Sequence, residues 1–132
     1  MLDYITQIKE TCFYVTDVAV AKEFYQHQLG LELVTFKPDA FVFLRAGSSM
    51  LLCFHETYAK EQTDVPPHHG KGNFHFAFEV PADRYNEAKA YVQGMGLEIE
   101  QEIEWPSGGK SFYFRDPENN SLEVVQPGIW GF

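Results

Sequence analysis

Residues 14–34 read YVTDVAVAKEFYQHQLGLELV, and the way that stretch ends decides the fold. Its tail, Leu29-Gly30-Leu31-Glu32-Leu33, returns as Met95-Gly96-Leu97-Glu98-Ile99, so Gly30 and Gly96 lie 66 residues apart. Val15, ahead of the first helical stretch, and Val80, ahead of the second, lie 65 apart. Two matches in the same element order read as a duplicated unit.

Working outward, each half spells strand, helix and three strands. Ile8 to Val15 alternates, with Phe13 and Val15 on one face and Ile8, Glu10, Cys12 and Tyr14 on the other. Asp17 is placed to cap a helix running to Leu29, with Ala21, Phe24, Gln28 and Leu29 as its inner stripe and Gly30 as its stop. Strands are expected over residues 31–37, 40–45 and 50–55. Residues 56–73 are polar and proline-containing and read as a linker. In the second half, residues 74–80 read as a strand and Asp83 as the cap of a helix to about Gly94, with Tyr85, Ala88, Val92 and Met95 inward. Residues 98–104, 110–115 and 121–126 complete it as strands, with turns at residues 107–109 and 116–120. The expected architecture is α+β: one domain over residues 1–132, built of two tandem βαβββ modules at about 6–56 and 73–127. A four-stranded sheet covered by a helix on one face leaves the other bare, so two such sheets are expected to form a half-barrel around a cleft.

Composition narrows the partners. The chain has 132 residues, 45% of them hydrophobic and 22% charged, which is globular. Aromatic residues reach 16%, which suits a β-rich core or an aromatic-walled cleft. A net charge of -9 repels phosphate backbones and anionic headgroups, so neither nucleic acid nor membrane is an expected partner. No apolar run approaches the ~18 residues of a membrane span, and no apolar signal core opens the chain. Cys12 and Cys53 are the only cysteines. Both read as free, buried thiols, which points to a reducing cytoplasm.

Three stretches carry a family resemblance: residues 14–34, HFAFEVP at residues 75–81, and GGKSFYFRDPENNSLEVV at residues 108–125. Together, in this order, they resemble the glyoxalase/bleomycin resistance/dioxygenase (vicinal oxygen chelate) superfamily across residues 8–126. The resemblance implies a glyoxalase-like paired βαβββ fold, often a homodimer, whose metal enzymes hold a divalent ion that chelates neighbouring substrate oxygens. Asn119 stands where the family usually has Gly, and asparagine tolerates the left-handed backbone such a turn needs.

The resemblance also implies a metal site. One family ligand lies seven residues before the Asp of V-x-D, which is Glu10 here; a second is His75; a third is Glu123. The repeat supports the trio, because Glu10 and His75 share its 65-residue offset. Alternation sets Glu10 opposite Phe13 and Val15, and Glu123 opposite Leu122 and Val124. A lone carboxylate in so apolar a run needs a partner. Aligning Phe43 with Phe114 equates Glu123 with Leu52, which cannot ligate. One imidazole and two carboxylates suit Mn²⁺, Mg²⁺, Fe²⁺ or Zn²⁺ and leave coordination positions open. The bland alternatives are a core histidine at His75, a Glu10 paired with Arg45 or Arg115, and a salt-bridged Glu123. His68-His69 reads as solvated loop before metal ligand or cleft cover. Tyr14, Tyr113 and Cys12 are pocket-wall candidates, and Trp105 and Trp130 are packing residues.

Three functions follow. The first is a metal-dependent lyase or isomerase on a small oxygenated substrate, with Glu10 or Glu123 as proton acceptor if it leaves the ion and Tyr113 as hydrogen-bond donor. Glyoxalase I chemistry itself is disfavoured by Leu52. The second is a metal-free, dimeric binding protein of the bleomycin-resistance type, taking an aromatic or cationic guest. The third is an extradiol-type dioxygenase, whose relatives use two His and one Glu on iron.

Overall fold

The computed structural model describes residues 4–132. The first unit, up to Lys71, runs β1 (Glu10–Val15), α1 (Val18–Lys22), a π-helical turn (Glu23–Gln28), β2 (Glu32–Lys37), β3 (Phe41–Ala46), β4 (Ser49–His55) and α2 (Glu56–Glu61). The second, from Gly72, runs β5 (His75–Glu79), a 3₁₀ turn (Ala82–Arg84), α3 (Tyr85–Gly94), β6 (Gln101–Glu104), β7 (Lys110–Arg115) and β8 (Ser121–Val125). The two sheets have one topology. Their strand orders are β1-β4-β3-β2 and β5-β8-β7-β6, with the first strand parallel to the last and the rest antiparallel. This is the expected tandem βαβββ fold.

In the first unit Asp17 caps α1 as expected: its backbone is extended and Oδ1 accepts from Val20 N at 3.1 Å. Val18, Ala21, Phe24 and Tyr25 are buried against Phe13, Val15, Val42, Leu44, Leu51 and Cys53. The helix does not continue as α to Leu29. Leu29 N reaches back five residues to Phe24 O at 2.8 Å, and this wider turn rotates the inner stripe. Tyr25 is therefore buried while Gln28, expected inward, is exposed. Gly30 and Gly96 both end their helices at positive φ, +82° and +81°, a conformation a side chain would oppose. That requirement is why the glycine recurs in the Gly-Leu signature.

Four expectations change. Residues 56–61 of the expected linker form α2, whose Ala59 is buried as the helix packs on β4. Asp83 caps no α-helix: Pro81 leads into the 3₁₀ turn, and α3 begins at Tyr85 without a side-chain cap. The edge strand β6 starts at Gln101 rather than Glu98. Cys12 is exposed and only Cys53 is buried; both are free thiols.

The turn between β7 and β8 is tied by side chains. Asp116 Oδ1 accepts from Glu118 N and Asn120 N, at 2.9 and 2.8 Å. Buried Asn120 donates to Asp116 Oδ2 at 2.8 Å and accepts from Phe74 N at 2.9 Å, which anchors the start of β5. Asn119 takes φ +66°, the left-handed backbone expected of it.

Candidate functional site

In the second unit, Phe112, Phe114 and Leu122 point to the buried face of the sheet. Alternation then gives the opposite face to His75, Tyr113, Arg115, Ser121 and Glu123, and the register agrees: His75 pairs with Ser121, and Tyr113 with Glu123. Glu123 is 6% exposed, although carboxylates are seldom buried without a partner. Its Oε2 stands 3.3 Å from His75 Nε2, and its Oε1 has no hydrogen-bond partner among the described residues.

The histidine's other nitrogen decides what that contact is. His75 Nδ1 lies 2.8 Å from Ser121 O, a carbonyl that can only accept, so Nδ1 carries the proton. In a neutral imidazole Nε2 then holds a lone pair, aimed at a carboxylate. Two acceptors at this separation repel unless a second proton or a cation lies with them. A backbone carbonyl behind the distal nitrogen is also how metal-binding histidines are commonly oriented. His75, Glu123 and the orphaned Oε1 thus fit a divalent ion.

Tyr113 lies alongside, its ring 6.1 Å from that of His75 and inclined by 25°. Burial raises its phenol above the usual range; a hydrogen bond to Ser111 opposes this, and the Glu123 carboxylate adds to it. Tyr113 is a proton-bearing donor at neutral pH. Arg115 bonds both oxygens of Glu100, at 2.9 and 3.1 Å. Arg45 pairs with Glu32 and donates to Gly47 O.

Glu10 belongs to the first unit, exposed on the face of β1 opposite Phe13 and Val15. Beyond burial, its charge helps to raise the thiol of Cys12 on the same face. The structure therefore brings His75, Glu123 and Tyr113 together within one unit, with Glu10 in the other. Among the described residues no three His, Cys, Asp or Glu side chains form a ready metal cluster.

The ladders equate positions between the units. Glu10 pairs with Met50 and Cys12 with Leu52, as His75 pairs with Ser121 and Ala77 with Glu123. Glu10 thus corresponds to His75, and Leu52 to Glu123. The Phe43–Phe114 alignment is off by one: Phe43 pairs with Leu52 and Tyr113 with Glu123, so Phe43 corresponds to Tyr113. One extra residue in the β7–β8 turn restores the Leu52–Glu123 match.

A second polar group emerges in the first unit. His68 is not solvated loop. Its Nδ1 lies 2.6 Å from Tyr14 OH and 3.9 Å from Cys12 Sγ, and its ring stands edge-on to Phe54 at 4.8 Å. His69 is exposed. Burial pushes the Tyr14 phenol up to about 12, helped by Cys12, and also pushes the Cys12 thiol up. The contacts of His68 with Tyr14 and Cys12 span more than fifty residues of chain, so no local pattern announces them. Trp105 donates to Ser111 Oγ at 2.9 Å, while Trp130 is exposed.

Comparison with known proteins follows this geometry. The family model for the Glyoxalase/Bleomycin resistance protein/Dioxygenase superfamily matches residues 7–124. Among solved structures, a lactoylglutathione lyase from Agrobacterium tumefaciens is 33% identical with a TM-score of 0.93, over 98% of this chain and 100% of that one. A virulence protein from Salmonella typhimurium is 25% identical with a TM-score of 0.72, over 92% and 97%. A glyoxalase/bleomycin resistance protein/dioxygenase from Nocardioides is 20% identical with a TM-score of 0.72, over 92% and 83%, a likeness of fold alone. No curated protein sequence matches the chain.

Proposed function

This chain belongs to the Glyoxalase/Bleomycin resistance protein/Dioxygenase superfamily, and from that premise we propose that it is a metal-dependent lyase or isomerase acting on a small molecule with adjacent oxygens. His75 Nε2 and Glu123 are two ligands of the ion. Glu10 is the third, on the ground that it occupies the repeat position of His75. The observation that carries the reading is the His75–Glu123 contact, where a lone pair and a buried carboxylate meet at 3.3 Å beside an orphaned oxygen. Likeness to a lactoylglutathione lyase supports the reaction class.

When bound, the ion supplies Lewis acidity toward substrate oxygens. The chain's own residues do the rest. Ser121 O holds the imidazole in the ligating tautomer. Tyr113 keeps its proton and donates to an oxygen that gains charge. Whichever of Glu10 and Glu123 leaves the ion accepts a carbon-bound proton. Manganese, magnesium, iron and zinc all suit this donor set. We further propose a homodimer in the cytoplasm, with no nucleic acid or membrane partner. No helix among the described residues is long and apolar enough to cross a membrane.

A metal-free binding protein is the second reading, because a proton added to His75 satisfies Glu123 equally well. Calorimetry with Mn²⁺ and Zn²⁺ on chelator-treated protein separates the two. One ion per chain is expected, with Glu123→Gln and His75→Ala each weakening affinity by roughly 10- to 100-fold. Absence of saturable binding to the wild type sinks the enzyme reading and leaves the second. Iron retained through purification, with ring cleavage of catechol, would instead identify a dioxygenase. Light scattering reads the dimer.

A further inference from the structure

His75 opens β5, an edge strand whose ladder partner is β8. The first residue of an edge strand frays unless something holds the chain ahead of it. Here Phe74 is held by both its backbone groups. Its N–H donates to Asn120 Oδ1 at 2.9 Å, and its carbonyl accepts from Ser121 N at 2.8 Å. Two bonds to consecutive residues fix Phe74 at the entrance of β8, and His75 then falls opposite Ser121. That is the placement from which His75 Nδ1 meets Ser121 O at 2.8 Å.

The Asn120 amide is itself held. Its Nδ2 donates to Asp116 Oδ2 at 2.8 Å. Asp116 Oδ1 accepts from the backbone of Asn120 at 2.8 Å and of Glu118 at 2.9 Å. A carboxylate only accepts, so the amide nitrogen must face Asp116 and the amide oxygen must face Phe74. Asn120 is fully enclosed and Asp116 is buried, and a buried polar network satisfied in this way holds one arrangement. The first unit is built differently at the matching place. Glu10 pairs with Met50 as His75 pairs with Ser121, so Ser49 stands where Asn120 does. Ser49 is half-buried, and its Oγ donates to Ile8 O at a long 3.4 Å. The enclosed amide belongs to the copy that carries the imidazole.

We propose that Asn120, oriented by Asp116, is a positioning residue for His75: it sets the start of β5 against β8 so that Ser121 O keeps the proton on Nδ1 and leaves Nε2 to the ion. The inference rests on the reading of His75 as a metal ligand and extends it to the turn between β7 and β8. An imidazole whose Nδ1 loses its carbonyl is free to take either tautomer, and the form with its proton on Nε2 cannot ligate through that atom.

The test joins two measurements on the full chain. One is the ¹⁵N shift of His75 Nδ1 in chelator-treated protein, which reports whether that nitrogen bears a proton. The other is Mn²⁺ calorimetry. In the wild type Nδ1 is expected to be protonated. Asn120→Ala removes the amide. Asp116→Asn keeps the shape and the turn's two bonds to Oδ1, but sets a second amide nitrogen against that of Asn120. Each should move Nδ1 toward the unprotonated range and weaken Mn²⁺ roughly tenfold. Val92→Ala loosens the buried side of α3 in the same unit without touching the turn. It should leave the shift unchanged and Mn²⁺ affinity within about twofold. An unmoved Nδ1 shift in both turn variants overturns the proposal. So does an equal loss of Mn²⁺ affinity in Val92→Ala, which would make the effect one of general stability. A wild type that takes no Mn²⁺ fells the ligand reading alone, and the Nδ1 shifts then decide by themselves whether Asn120 sets the tautomer.

Discussion

Glu123 is legible as a residue because it interrupts an apolar run, where an ionisable group calls for a partner, and His75 because it fits the family motif at the repeat position of Glu10. What the pattern could not reveal is the hydrogen on His75 Nδ1, since Ser121 O lies 46 residues away in sequence. The same limit hid Asn120. It was read as one residue of a turn, yet its side chain is fully enclosed and serves both Asp116 and the start of β5. Asn120→Ala removes the bonds to Phe74 N and to Asp116 Oδ2 together. A loss of roughly 2–4 kcal/mol in urea-induced unfolding is expected. A loss under about 0.5 kcal/mol, the scale of an ordinary surface change, would remove that role.

Among the elements, the strands were readable from period-two alternation and the helices were less so. Asp17 and Asp83 occupy similar places in the sequence, but only Asp17 accepts a bond from the first turn of its helix. Asp17→Ala should therefore cost about 1 kcal/mol, while Asp83→Ala should cost almost nothing, as paired thermal melts would show. Comparable losses would mean that the 3₁₀ turn ahead of α3 depends on the second acid. The π turn escaped notice because a five-residue bond leaves no periodic trace of its own. Helix α2 escaped because six mostly polar residues, Glu56–Glu61, bury only Ala59. On β6, an edge strand, Glu102 and Glu104 pair with Lys89 and Lys110, at 2.8 and 3.2 Å. Charge along such an edge discourages pairing with another chain.

For the whole molecule, the repeat made two units of one topology expected, and the structure has them. Their junction falls at Lys71–Gly72. The Lys71 side chain is 83% exposed and its contact with Glu56, at 3.8 Å, is a surface ion pair of little strength. Limited trypsin digestion should cut there first, giving fragments 1–71 and 72–132 by mass spectrometry. Earliest cleavage within a strand would contradict this. The two ladders share their register while their uncovered faces differ: rings and Leu52 in one copy, imidazole, phenol and Glu123 in the other. A gene that doubles its product in tandem holds a spare for every side chain but none for the bend that lets each copy close. Leucine at 52 is what such slack permits, whereas replacing either helix-ending glycine would harm its own half with nothing in the other to make good the loss.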